Sequence, residues 1–269
     1  MLTPDRLDAL ERFMLELNRA AAGVILPLFR GAHGLENKAA RGFDPVTAAD
    51  RGAEAEIRRR IAWRHPSHGV IGEELGEDRP EAEFVWVVDP VDGTRAFVAG
   101  LPVWTTLIAL RHQGAPVLGS IGQPYLGETY VGGGPAGARL VTAGGERPLK
   151  VRTGVPLAEA IIATTDPEAG FNKTERAAWA QVRAASRLAR LGCDAYAYAM
   201  VAAGTIDLVL EAHLKSWDVE AAVPVIAAAG GFVTDWRGQP IGRHGGQMAI
   251  AGDRPLLDEA LVSLRDAAA

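Results

Sequence analysis

The chain holds one cysteine, Cys193, among 269 residues, so no internal disulfide framework can form and a reducing compartment is the expected setting. No apolar run reaches the ~18 residues that a membrane-crossing helix needs. The first residues form a charged amphipathic pattern and not a secretion signal, so a cytoplasmic location is expected. Excess positive charge is also lacking. With 28 Lys and Arg against 33 Asp and Glu, the formal net charge is -5, and neither nucleic acid nor an anionic membrane is an expected partner. There is no low-complexity linker, and no repeat of about 20–50 residues. Gly132-Gly133-Gly134 lacks the Lys-Ser/Thr ending and following helix of a phosphate loop, and reads as a turn.

What remains is ordinary globular material, 48% hydrophobic and 23% charged, enough for one large domain or two small ones. Thr3-Pro4 is an N-cap followed by proline at the first helical position. Leu7, Leu10, Met14, Leu17, Ala21, Val24 and Leu28 then recur every three or four residues and predict a long amphipathic helix ending near Pro27. Thr47 caps a second predicted helix with Ala53, Ile57 and Ile61 inward, ended by Pro66. Val70 to Gly72 and Phe84 to Val88 predict buried strands, and Trp104 to Leu110, Pro116 to Gly122 and Glu128 to Gly132 an antiparallel meander. From about residue 150 the rhythm becomes alternating. Strands are predicted at Ala158 to Thr164, Asp207 to Glu211, Gly231 to Thr234 and Met248 to Ala251. Helices are predicted at Thr174 to Ala185, Asp194 to Gly204 and Val219 to Ala229, with a last one capped by Asp253. The expected class is an α+β N-terminal half, residues 1–150, and an α/β C-terminal half, residues 151–269, with the site between them.

The chemistry concentrates at Asp89-Pro90-Val91-Asp92-Gly93-Thr94-Arg95. Two carboxylates three residues apart at a strand end can converge on one hard cation. Pro90 stiffens the turn, and Gly93 allows close backbone approach. The amides of Gly93 and Thr94 would face an anion if a helix begins there. Alone, the stretch equally suits a solvated turn. Glu73-Glu74 hangs from the end of the preceding strand, either as solvated surface or as a further carboxylate for the same cation. Ser216 reads as an N-cap, which puts Asp218 in a first helical turn, as a dipole partner or as a ligand. Glu211 sits at a strand end, where ligand groups gather in open α/β sheets.

Four segments occur in order: Asp44-Pro45-Val46-Thr47 with Asp50, Gly72-Glu73-Glu74, Asp89-Pro90-Val91-Asp92-Gly93-Thr94, and Trp217-Asp218. Together they resemble the inositol monophosphatase family of magnesium-dependent, lithium-sensitive phosphatases, over roughly residues 5 to 260. The resemblance implies a layered α-β-α-β-α sandwich, a homodimer and a small phosphorylated metabolite as substrate. It implies that Glu73, Asp89 and the Val91 carbonyl hold one Mg²⁺, and Asp89, Asp92 and Asp218 a second. A third ion would use Glu73 through water, and Mn²⁺ is a possible substitute. It gives Gly93 and Thr94 to phosphate binding. Water activation falls either to Asp50 with Thr94 or to Glu73 with the third ion, and sequence leaves both open.

Arg95-Ala96-Phe97, Gly100 to Trp104, Leu191 to Tyr198 and Leu214 to Asp218 are similar to the histidinol-phosphate phosphatase branch. The similarity implies L-histidinol phosphate as substrate, in histidine biosynthesis. A substrate bearing ammonium and imidazole can pair with carboxylates such as Asp194 and Glu211, where a neutral polyol would want hydroxyl partners. Arg95 and Arg190 are candidate phosphate contacts, or plain surface or dimer residues. The rivals are an inositol, sugar or nucleotide phosphatase and a non-catalytic regulatory relative. Loss of a ligand would mark the latter, yet Glu73, Asp89, Asp92, Thr94 and Asp218 are all present.

Overall fold

The computed structural model describes residues 2–31, 36–37, 45–241 and 243–269. Asp44 and most of the 31–42 connection, Lys38 included, lie outside them, as does any closure of that connection over a substrate.

Helix α1 (Pro4–Ile25) starts where sequence places it, with the Thr3 hydroxyl accepting the Arg6 amide. Leu10, Met14, Leu17 and Ala21 are buried, while Leu7, Val24 and Leu28 border the face. Two short strands follow, β1 (Glu36–Asn37) and β2 (Pro45–Val46), paired antiparallel. Helix α2 (Ala48–Arg64) opens with a capping box: Thr47 accepts the Ala49 amide, and the Asp50 carboxylate accepts the Thr47 amide at 2.8 Å. Its buried face is Ala53, Ile57 and Ile61.

Next come β3 (Gly69–Gly72), β4 (Gly76–Asp78), β5 (Phe84–Asp92), α3 (Thr94–Ala99), β6 (Thr105–His112), β7 (Ala115–Gln123), β8 (Glu128–Gly132), β9 (Arg139–Thr142) and β10 (Gly145–Pro148). They build an eight-stranded sheet in the order β10-β9-β8-β7-β6-β5-β3-β4, antiparallel except where β3 runs beside β5. The meander is as predicted. The strand expected at Phe84 to Val88 runs on to Asp92, so the acidic motif is the end of a strand rather than a turn after it.

The second half continues with β11 (Ile161–Thr164), α4 (Pro167–Gly170), α5 (Lys173–Ala185), β12 (Leu188–Leu191), α6 (Tyr196–Ala202), β13 (Leu208–Leu214), α7 (Ser216–Val219), α8 (Ala222–Ala228), β14 (Phe232–Thr234), β15 (Gly246–Ala251) and α9 (Arg254–Leu264). Its five strands form a mixed sheet, β12-β11-β13-β15-β14. Four expectations change. The strand predicted over Asp207 to Glu211 runs on to Leu214, so Glu211 lies inside it and not at its end. The strand predicted from Ala158 begins at Ile161, because Leu157–Glu159 close a single 3-10 turn. The helix predicted over Val219 to Ala229 is two helices, α7 and α8. Strand β12 went unpredicted because it is short, at a sheet edge, and has no buried residue to give it a period.

Strand alternation creates the layers. In β5, Phe84, Trp86 and Val88 meet α1 and α2, whereas Val85 and Val87 face the middle of the molecule. In β13, Val209 faces the middle, and Leu208 and Leu210 pack with α5 and α9 on the far side. Helices α6 and α8 fill the space between the sheets with Ala197, Val201, Val225 and Ile226. The result is the expected α-β-α-β-α sandwich, and its middle helices pack on strands of both halves.

Candidate active site

In a regular strand, residues three apart point to opposite faces, so Asp89 and Asp92 could not share a ligand. The register with β6 shows how they do. Asp89 opposes Leu107 and Asp92 opposes Thr105, so three steps on β5 match two on β6. This bulge at Pro90 and Val91 adds one residue and restores the parity. Val91 points outward with Val88, and both aspartates reach the inner side. The Val91 amide is held by Asp89 Oδ1 at 3.0 Å, and Asp92 Oδ2 accepts the Ala195 amide at 2.8 Å.

Asp218 comes from α7. The sequence made Ser216 the cap; the structure gives that position to Lys215, and Ser216 is the first helical residue. The Asp218 carboxylate turns back to accept the Lys215 amide at 2.6 Å. Carboxylate oxygens of Asp89, Asp92 and Asp218 lie within 4.8 Å of one another. Glu73, half-buried where β3 ends, faces the same group: its charge raises the pKa of Asp89, Asp92 and Asp218.

Around these carboxylates the supports are local. Asp50 and Glu54, one turn apart on α2, are both fully buried. Asp50 Oδ1 accepts the Thr94 hydroxyl at 3.3 Å, and that hydroxyl also reaches the Val91 carbonyl at 3.1 Å. Glu54 accepts the amides of Glu74 and Leu75, at 2.8 and 3.2 Å, and so carries the loop that presents Glu73. Sequence reading missed Glu54, although an acid four residues after Asp50 shares its helix face. Gly93 has φ +78°, and a Cβ there would stand 2.9 Å from the Asp194 carboxylate carbon. Asp194 itself holds a left-handed backbone, φ 46°, which turns its carboxylate toward β5.

Beside the acidic group is a cavity of about 260 Å³, lined among others by Asp92, Arg95, Asp194, Tyr198, Glu211 and Asp218. Glu211 is buried and accepts Thr165 amide and hydroxyl hydrogen bonds, each 2.8 Å. Arg95 is exposed and stands 3.8 Å from Asp166, an acid on the cavity wall. Arg190 is exposed on edge strand β12 and does not line this cavity. The structure thus brings together Asp50, Glu73, Asp89, Val91, Asp92, Gly93, Thr94, Arg95, Asp194, Glu211 and Asp218, and leaves Arg190 aside.

Burial is the chief cause that lifts Asp89, Asp92, Asp194, Glu211 and Asp218, and mutual repulsion adds to it at all of these but Asp194. Asp89 and Asp92 are held well above the usual carboxylate range. Burial takes Asp218 up to about 7, with Glu73 adding repulsion, and Asp194 up to about 6 against the pull of Arg95. Buried Glu211 rises to about 8 despite the hydrogen bonds from Thr165. Converging carboxylates with so little counter-charge form an all-oxygen donor set, which suits a hard divalent cation.

A layered α/β sandwich with an acidic centre at the bulged end of a central strand defines a class of metal-dependent phosphatases. The profile of the Inositol monophosphatase family matches residues 6–268, and the chain belongs to that family. It is 38% identical to the Bifunctional phosphatase IMPL2, chloroplastic, of Arabidopsis thaliana over 98% of this chain and 77% of that one. It is 32% identical to a Histidinol-phosphatase of Chlorobaculum parvum over 88% of both chains. The structure of an inositol monophosphatase from Zymomonas mobilis superposes with a TM-score of 0.85 at 36% identity, over 96% of this chain and 98% of that one.

Proposed function

We propose that this chain is a Mg²⁺-dependent phosphomonoester hydrolase with two or three ions per site, and that L-histidinol phosphate is its preferred substrate. One observation carries the substrate: the cavity beside the cation ligands is walled by half-buried Asp194 and buried Glu211, both held by burial above the usual carboxylate range, with Arg95 the one cation acting on Asp194. A leaving group with ammonium and imidazole supplies positive charge, while a neutral polyol leaves both carboxylates as costly as before. Similarity to a histidinol-phosphatase supports the same reading.

Glu73, Asp89, Asp92, Asp218 and the Val91 carbonyl would hold the ions. When bound, they neutralise phosphoryl oxygens, lower the pKa of water and stabilise the departing alkoxide. The chain's own groups orient the rest. The Gly93 and Thr94 amides, where α3 begins, hold the phosphate. Thr94 lies between the Asp50 carboxylate and the Val91 carbonyl, so its hydroxyl can pass a proton from an attacking water toward Asp50. Buried Asp50, charge-coupled to Asp89, has the burial a proton acceptor needs.

Phosphate release from histidinol phosphate and inositol 1-phosphate, with Mg²⁺ and with chelator, tests the proposal. Preference for histidinol phosphate, abolished by chelator, is expected. Equal rates would retain the chemistry and discard the substrate; no release from either would discard both. Hydrolysis of inositol 1-phosphate is the second reading, favoured by the likeness to the Zymomonas mobilis structure. The resemblance further supports a lithium-sensitive, cytoplasmic homodimer; light scattering at one-chain mass would remove the dimer.

A further inference from the structure

One buried ion pair joins the two halves behind the cation centre. Arg111 of β6 donates through Nε to Glu220 Oε2 at 2.6 Å and through Nη2 to Glu220 Oε1, and both side chains are less than a tenth exposed. Glu220 is the residue that ends α7, two positions after Asp218. At about 100° per residue, the two carboxylates leave this single turn on opposite sides. One looks to Asp89 and Asp92, the other to Arg111.

We propose that Arg111 and Glu220 are positioning residues for the cation centre, and that their two-pronged contact sets where Asp218 stands relative to Asp89 and Asp92. The inference rests on the cation reading above. Arg111 opposes Val85 of β5, four residues before Asp89 and on the same inward face, so the frame that carries the aspartates also carries the guanidinium. Just past α7, where α8 begins, a Cβ on Gly119 of β7 would lie 2.1 Å from the Ala221 carbonyl oxygen, so backbone rests directly on backbone there. Such a bare contact permits sliding, whereas a planar guanidinium on a carboxylate fixes distance and angle. A buried pair adds little stability over apolar residues of the same volume, so stability alone is a weak reason for this one.

The test measures Mn²⁺ binding to the full-length protein by electron paramagnetic resonance, far below any unfolding temperature. R111K keeps the charge and loses the fork; R111M/E220L removes both charges, keeps the net charge and fills the volume. Both are expected to bind Mn²⁺ at least fivefold more weakly than the parent. In a D218N background, R111K should change affinity less than twofold, because the pair acts through Asp218. Unchanged affinity in R111K overturns the proposal, whether or not the double variant folds. An equal loss with and without Asp218 overturns it as well. A parent that binds no Mn²⁺ overturns the cation reading instead.

Discussion

Asp218→Asn should make the cation-free protein more stable at neutral pH while removing its function. The Lys215 amide keeps its partner, because an Asn carbonyl accepts the same 2.6 Å bond. What disappears is a charge that the fold resists. Burial raises the carboxyl from 3.8 to about 7, so its neutral form stabilises the fold fully below about pH 4, and that contribution is lost as pH rises through about 7. The ceiling of the loss is about 4 kcal/mol at 1.36 kcal/mol per pKa step. Asp218 is only half-buried and titrates with its neighbours, so screening brings the figure to about 1–2 kcal/mol. In a chain of this size that is about 2–4 °C in Tm. Thermal melts by circular dichroism in chelator should coincide near pH 4 and separate by this amount at pH 8, with the variant higher. Saturating Mn²⁺ should reverse the order, since a hundredfold excess over Kd adds about 2.7 kcal/mol to the parent. A variant melting below the parent in chelator at pH 8 would refute the argument that these acids are held apart by charge.

Gly93→Ala places a methyl 2.9 Å from the Asp194 carboxylate carbon at φ +78°, and should cost about 1–3 kcal/mol in melts and raise KM more than it lowers kcat. Thr94→Val removes the hydroxyl between Asp50 and the Val91 carbonyl. It should lower kcat about a hundredfold in steady-state assays with KM nearly unchanged, and a KM effect alone would reassign Thr94 to binding. His68 is buried, accepts the Trp86 indole N–H at 3.1 Å, and titrates at about 4 because of burial and the positive charges around it. Its depressed pKa gives stability that is present above about pH 6.5 and lost as pH falls toward about 4. Relative to H68Q, the parent should therefore lose about 2 kcal/mol over that interval in urea melts.

Much of the architecture was legible because it repeats along the chain. The three-and-four spacing of Leu10, Met14, Leu17 and Ala21 placed one helix face, and the caps Thr3, Thr47 and Asp253 started three helices at the expected residues. Capping and periodicity are local, and each residue's choice depends on near neighbours. Strand β12 and the break between α7 and α8 escaped because a short edge strand and a one-turn helix carry no period to read. Arg190 drew notice by sequence position alone, and on edge strand β12 its exposed side chain is not among those that line the cavity.

By itself the sequence determined which acids accompany which strands, the layering of the sheets, and the family to which the constellation belongs. Tertiary structure decided everything that depends on distance between remote residues. The bulge against β6 put Asp89 and Asp92 on one side, and Gly93 let Asp194 close in from the other half. Arg111 and Glu220, 109 residues apart, met behind Asp218, and Glu54 came under the loop that carries Glu73. Charge repulsion and burial act through space, so the raised pKa values exist only once the folded chain has brought these groups together.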